Sequence, residues 1–239
     1  MIYVIAHKPL KNCEAVIEKQ GYQVLQVGAG EPIPNSLRDN TGDNISEKNP
    51  SWCELTGHYW MWKNTSDELV GLIHYRRYFV KHLWHMIDKR LPLALRLMDE
   101  RSIQKILKRY DLIVAERWNM NGETVLEQWN KSHHSEDMVI IRGAIEKLYP
   151  EYLPAFDNVM GRDWWYACNM FIMNRPLFDN YSEFLFSVLF EAEKYVVVST
   201  TSQYQKRVFG FLSERLLNVW IEHNQLNAYE AHVFFNDKC

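Results

Sequence analysis

Leu69-Val70-Gly71-Leu72-Ile73-His74-Tyr75-Arg76-Arg77-Tyr78-Phe79 is the stretch on which the architecture turns. An all-apolar run that ends abruptly in polar and cationic residues reads as a strand buried on both faces, with its carboxyl end opening into a site. Ile2-Tyr3-Val4-Ile5-Ala6, followed by His7-Lys8, repeats that pattern at the start of the chain. Working outward, further strands are expected over 22–27, 110–115 and 164–173. Helices are expected over 11–20, 49–62, 138–148, 176–194 and 203–224. Asn49-Pro50 suits a helix start, with Asn as N-cap and Pro at the first helical position. Residues 37–49 are rich in Asp, Asn, Gly and Ser, a connection of the kind that carries function rather than packing. Strands alternating with helices imply an α/β protein with a largely parallel sheet. With no repeat, low-complexity tract or linker, the whole of 1–239 is expected to be one domain.

The 239 residues are 47% apolar and 24% charged, the balance of a folded chain with a substantial core. A net charge of −3 excludes a generic nucleic-acid binder, for which a strongly basic domain is expected. That average conceals an asymmetry: residues 75–109 hold ten basic and three acidic side chains, a basic island in an otherwise acidic chain. Its cations alternate with bulky apolars, which suits docking on anionic lipid or holding a phosphorylated ligand, and equally suits a solvated amphipathic helix. Aromatic residues reach 14%, enough to serve a core, a sugar-stacking site or a membrane interface. Cys13, Cys53, Cys168 and Cys239 are scattered without metal-binding spacing and read as reduced thiols. No signal sequence is evident and no apolar run approaches roughly 18 residues, so a cytoplasmic location is expected, peripheral on the inner face of the membrane where the island docks.

Ligands of open α/β sheets bind beyond the carboxyl ends of the strands. Neither strand end here continues with glycines, and G-x-G-x-x-G and P-loop patterns are absent. The cations at those ends, Arg76 and Arg77 above all, match the oxygens of a diphosphate, the bland alternative being pairing with surface carboxylates. Farther on, Gln203, Arg207, Gly210, Glu214 and Asn218 fall on one helical stripe. It reads either as the wall of a pocket, with Gly210 admitting a ligand to the backbone, or as an exposed face. On the first reading Glu214 is a candidate general base with Arg207 as its charge partner. Glu54 and His58, one turn apart, suit a structural pair. His133-His134 with Glu136 and Asp137 gives poor convergence for a metal, and Trp164-Trp165 suits either sugar stacking or the core.

Four blocks carry a resemblance: Asp39-x-x-Gly42-Asp43-Asn44-Ile45-Ser46-x-x-Asn49, Cys53-Glu54-Leu55-Thr56 with Tyr59-Trp60-x-Trp62-Lys63-Asn64, Val70-Gly71-Leu72-x-His74-Tyr75-Arg76-Arg77-Tyr78-Phe79, and Arg207-Val208-Phe209-Gly210-Phe211-Leu212-Ser213-Glu214-Arg215-Leu216-Leu217. Together with Asn169-Met170-Phe171-Ile172-Met173 they make the chain resemble the bacterial capsular or exopolysaccharide biosynthesis family. This was formerly a domain of unknown function and includes galactofuranosyltransferases. The resemblance spans nearly the whole chain. It implies a GT-A-like, Rossmann-type sheet flanked by helices, with 1–118 as the nucleotide-sugar half and 119–239 as the acceptor half. It implies an inverting glycosyltransferase moving a sugar, galactofuranose as in the galactofuranosyltransferases the family includes, from a UDP donor to a polysaccharide or lipid-linked glycan. A non-catalytic carbohydrate-binding or assembly protein of the same pathway is the alternative. The donor would be met by His7, Lys8, Asp39, Asn44, Ser46, His74, Arg76 and Arg77, and the acceptor by Asn169, Arg207 and Asn218. Glu214, then Asp163, would serve as catalytic base. Many GT-A enzymes hold manganese or magnesium at an Asp-x-Asp that this chain lacks, which leaves Arg76 or Arg77 to offset the leaving diphosphate.

Overall fold

The run Ile2–Ala6 forms strand β1, buried at every position. Because successive side chains of a strand point to opposite faces, such a run requires cover on both sides. That requirement organises the molecule. The computed structural model describes residues 1–10, 13–81 and 92–236. Beside β1 lie β2 (Tyr22–Gln26), β3 (Leu37–Arg38) and β4 (Leu69–His74). Then follow β5 (Arg77–Phe79), β6 (Leu112–Ala115), β7 (Arg117–Asn119), β8 (Trp164–Tyr166), β9 (Phe171–Asn174), β10 (Ala228–Ala231) and β11 (Val233–Phe235). The main sheet runs β10-β6-β9-β4-β1-β2-β3, with β5 joining β4 to β11 at one end. Pairings of β1 with β2 and β4, of β2 with β3 and of β6 with β10 are parallel. β9 lies antiparallel between β4 and β6, and β5 is antiparallel to β4. The sheet is therefore largely parallel, and the carboxyl ends of β1, β4 and β6 share one edge. This is the α/β arrangement with a largely parallel sheet expected from the alternation, and it is Rossmann-type as the resemblance implies.

Helices cover both faces: α1 (Glu14–Lys19), α2 (Asn49–Trp52), α3 (Leu55–Asn64), α4 (Leu93–Arg96), α5 (Glu100–Leu107), α6 (Val125–Ser132), α7 (Ser135–Leu148), α8 (Leu153–Gly161), α9 (Arg175–Glu193) and α10 (Val208–His223). Tyr3, Ile5, Val70, Leu72, Val114 and Phe171 face the larger core, built with α3 and α6 to α10. Ile2, Val4, Ala6, Ile73, Ile113 and Ile172 face the smaller one, with Ile17, Tyr78 and Ile103. Most of the aromatic content is spent here. Trp52, Trp129, Trp220, Phe178, Phe186 and Phe209 are fully buried, each contributing about 1.5–3 kcal/mol of hydrophobic stabilisation.

Three expected elements are divided. The helix expected over 49–62 breaks at Cys53, whose φ of 52° lies in the left-handed region that non-glycine residues avoid. The single strand expected over 164–173 is two, β8 and β9, separated at Cys168 with φ 69°. The helix expected from 203 begins as a 3-10 turn over Gln205–Arg207. Helix α6, opened by a capping box in which Thr124 and Glu127 bond each other's backbone, is not among the expected elements, nor are α8, β3, β5, β7, β10 and β11. Within the basic island, 82–91 lies outside the described residues. Of the rest, Arg96 is buried against the Phe234 ring at 3.8 Å and Lys81 pairs with Asp99 at 2.5 Å. Cys53 and Cys168 are free thiols, whereas Cys13 is disulfide-bonded, against the four reduced thiols expected. Among the described residues no helix is long and apolar enough to cross a membrane.

Candidate active site

The edge where β1 and β4 end opens into a cleft of about 620 Å³, lined by His7, Asn49, Cys53, Glu54, His74, Tyr75, Arg76, Arg77, Gln203, Arg207 and Phe235. Each side arrives by a distinct local device. β1 delivers His7, and β4 delivers His74. The chain then reverses into β5, placing Tyr75, Arg76 and Arg77 across the mouth. The turn at Cys53 ends α2 and carries Glu54 to the start of α3 on the opposite wall. Strain of this kind concentrates at functional sites. The 3-10 turn before α10 brings in Gln203 and Arg207, whose Nε donates to Cys53 Sγ at 3.4 Å.

Cations dominate the rim. The Tyr75 ring has Lys8 Nζ at 5.4 Å, Arg76 Cζ at 5.0 Å and the His7 ring edge-on at 4.9 Å. Arg77 Nη1 lies 3.4 Å from His74 Nδ1. Desolvation pushes His7 below its ordinary pKa, and the charges of Lys8, Arg76 and Arg207 push the same way. Burial lowers His74 as well, opposed by the charge of Glu54 and reinforced by Arg77 and Arg207, so both imidazoles are held toward the neutral form. His74 Nε2 and Arg76 Nε are buried without a partner. Such orphaned donors are costly unless a ligand meets them.

Behind this lining lies Glu214. Burial raises its carboxyl to about 7; the Arg215 guanidinium, 3.2 Å away, pulls the other way, and the charge of Glu54 adds to the rise. Gly210 does not open the backbone to a ligand. A Cβ there would sit 3.4 Å from Cys53 Cβ and 3.7 Å from Glu54 Oε1, so its surroundings are α2 and the Glu54 wall.

The expected site residues divide accordingly. His7, His74, Arg76, Arg77 and Arg207 converge on the cleft, with Lys8 at its rim and Glu214 one layer behind. Asp39, Asn44 and Ser46 organise the loop instead of lining the cleft. The Asp39 carboxylate accepts from Gly28 N–H and from Ser46 Oγ, the latter at 2.6 Å, while Asn44 Oδ1 accepts from Ser46 N–H. Asn169 is buried, donating to Ser213 Oγ and accepting from Tyr181 Oη. Asn218 is also buried, its amide pairing with Tyr166 N–H and C=O at the end of β8. Asp163 is exposed and outside the lining. Glu54 does not pair with His58, whose Nε2 meets Ser182 Oγ at 2.8 Å within the core. Glu54, Asn49 and Tyr75 reach the cleft without having been singled out for it. The Cys-Glu break that carries Glu54 has no signal in helical periodicity.

A divalent metal, which the expected fold family often uses, does not fit this donor set. Among the described residues no three His, Cys, Asp or Glu side chains converge, and Glu54 is the one carboxylate among those that line the cleft.

The family described as Domain of unknown function (DUF4422) matches residues 1–225. No curated protein matches the chain. Among solved structures, the apo structure of the WbbM bifunctional glycosyltransferase is similar, at 30% identity over 99% of this chain and a TM-score of 0.84. This chain spans 45% of that protein's length.

Proposed function

The chain belongs to the DUF4422 family, and from that premise and the cleft we propose that it is a glycosyltransferase. In this reading it is a GT-A-like, inverting enzyme that moves a sugar, galactofuranose for preference, from a UDP donor to a polysaccharide or lipid-linked glycan. The observation that carries the reading is the concentration of Arg76, Arg77, Arg207, His7 and Lys8 at the carboxyl edge of the sheet. The likeness to a bifunctional glycosyltransferase supports it. The 1–118 half supplies most of the donor side, and the positive charge of the sequence 75–109 attracts the chain to an anionic membrane, where a lipid-linked acceptor resides.

The diphosphate of the donor lies against the guanidinium forks, which bind phosphate oxygens in pairs. An acceptor hydroxyl attacks the anomeric carbon. The bond from that carbon to the phosphate oxygen breaks with its electron pair going to UDP, and Arg76 and Arg207 offset the developing charge. The hydroxyl proton passes to the carboxylate of Glu214, whose pKa of about 7 suits a general base near neutral pH.

UDP release with a synthetic glycan acceptor tests this. Arg76→Ala and Glu214→Gln are expected to cut turnover at least tenfold while circular dichroism stays native, about the effect of one charged group in the transition state. Turnover unchanged in both variants removes the assignments. Wild-type activity that is lost on chelation and restored by manganese removes the argument that arginines replace the metal.

A further inference from the structure

With Asn169 and Asn218 committed to buried hydrogen bonds, the acceptor needs another surface, and the antiparallel ribbon of β7 and β8 offers one. We propose that the Trp118 face of this ribbon is a glycan-binding subsite on which a hexose ring of the acceptor stacks. Its role as an acceptor subsite rests on the glycosyltransferase reading; its capacity to bind a glycan rests on the ribbon alone.

Position comes first. β7 leaves the carboxyl end of β6 after one residue, and β8 leads into β9 through 167–170. β6 runs parallel to β4 across β9, so the ribbon stands over the same sheet edge as the cleft. Within the ribbon Trp118 lies opposite Trp165, which places both on one face, with ring centroids 6.2 Å apart. Trp165 is buried and carries the Arg215 guanidinium 3.9 Å from its ring, and Arg215 pairs with Glu214. Trp118 is thus linked to the proposed base through two enclosed side chains, Trp165 and Arg215.

Chemistry comes second. Trp118 is 52% exposed, and among the described tryptophans it alone is left so open. An indole presents a flat apolar face with a polar edge, and a hexose presents a flat C–H face bordered by hydroxyls. The platform is stiff. On the reverse of the ribbon, Trp164 has Arg162 at 3.6 Å and Arg117 at 4.3 Å over its ring, and Arg117 pairs with Glu230. The layer that Trp118 adjoins contains two buried donors without an acceptor, Trp165 Nε1 and Arg215 Nε. Both atoms are enclosed and out of a ligand's reach, so recognition rests on the open Trp118 ring itself, whose planar apolar face suits the C–H face of a hexose next to the proposed active-site edge.

The test uses the full chain labelled with 5-fluorotryptophan, the Trp118 resonance being assigned by its loss in Trp118→Phe. Synthetic galactose, glucose and mannose disaccharides are titrated by fluorine NMR, and UDP binding is followed separately by calorimetry. At least one disaccharide is expected to shift the Trp118 signal saturably. Trp118→Ala should weaken that disaccharide roughly tenfold, about 1.4 kcal/mol for one stacking face, with UDP affinity unchanged, and Trp118→Tyr should recover most of the loss. A Trp118 resonance that no disaccharide moves, or glycan affinity equal in wild type and Trp118→Ala, overturns the subsite. If UDP fails to bind but the glycan still requires Trp118, the glycosyltransferase reading falls and the glycan site stands.

Discussion

At the scale of single residues, the molecule separates titratable groups by burial. His58 is wholly enclosed, ringed by Phe171, Phe178, Tyr181 and Phe186, and burial pushes its pKa down to about 3. The unfolded chain takes up that proton near pH 6.5 and the folded chain does not. The stability this group supports is thus full above pH 6.5 and is lost as pH falls toward 3, at up to about 1.4 kcal/mol per pH unit. Urea melts of wild type and His58→Phe across pH 4–8 should show a shallower acid limb in the variant; equal slopes would remove His58 from the acid sensitivity. Glu214 sits at the opposite extreme, raised to about 7, with Glu54 adding to the rise and Arg77 opposing it. A base must be ionised, so residual turnover should climb with pH through about 7. Glu54→Gln, by deleting a like charge, should move that limb to lower pH. Arg77→Gln, by deleting an opposite charge, should move it to higher pH. A limb that stays in place in both variants would exclude Glu214 as the titrating group.

Elements show where local pattern suffices and where it does not. β1 and β4 were legible because burial on both faces leaves an unbroken apolar run, and their polar ends correctly marked the cleft. The long helix α9 was equally legible from its Pro176 start and its sustained period. Breaks at Cys53 and Cys168 were not, because a positive φ in a non-glycine residue is imposed by tertiary packing and leaves no mark in composition. The resemblance implies donor contact for the Asp39–Ser46 loop, but Asp, Asn and Ser suit turn-making as well as binding, and their hydrogen bonds here hold the turn. Glycines behave likewise. A Cβ on Gly57 would lie 2.9 Å from both Ile5 Cδ1 and Val27 Cγ1, so α3 docks on β1 and β2 only through a bare backbone. A Cβ on Gly210 meets only ordinary contacts. Gly57→Val should lower the unfolding free energy by about 1–3 kcal/mol, whereas Gly210→Ala should leave it unchanged or raise it by up to about 1 kcal/mol through helix propensity. Denaturant titrations compare the two, and equal effects would refute this account of helix–sheet contact.

For the whole molecule, the decisive property is the uneven placement of charge in a chain whose net charge is only −3. Six cationic or imidazole side chains surround Tyr75 and the cleft, while the acidic excess lies elsewhere in the sequence. Such a field draws in a polyanionic ligand and weakens as salt shortens the Debye length from about 10 Å at 0.1 M to about 3 Å at 1 M. UDP present at about 100 times its dissociation constant stabilises the native state by about 2.7 kcal/mol. In a domain of this size that corresponds to a rise in Tm of roughly 5–10 °C. The rise should shrink with added salt, and it should shrink further in Arg207→Ala, because a charged hydrogen bond to phosphate is worth about 1.5–3 kcal/mol. Uridine, which keeps the base and ribose but carries no phosphate, should give a small shift that salt leaves alone. A UDP shift equal to that of uridine, or one that salt does not diminish, would show that the cationic edge does not hold the diphosphate. The arginines would then have to be assigned to pairing with surface carboxylates.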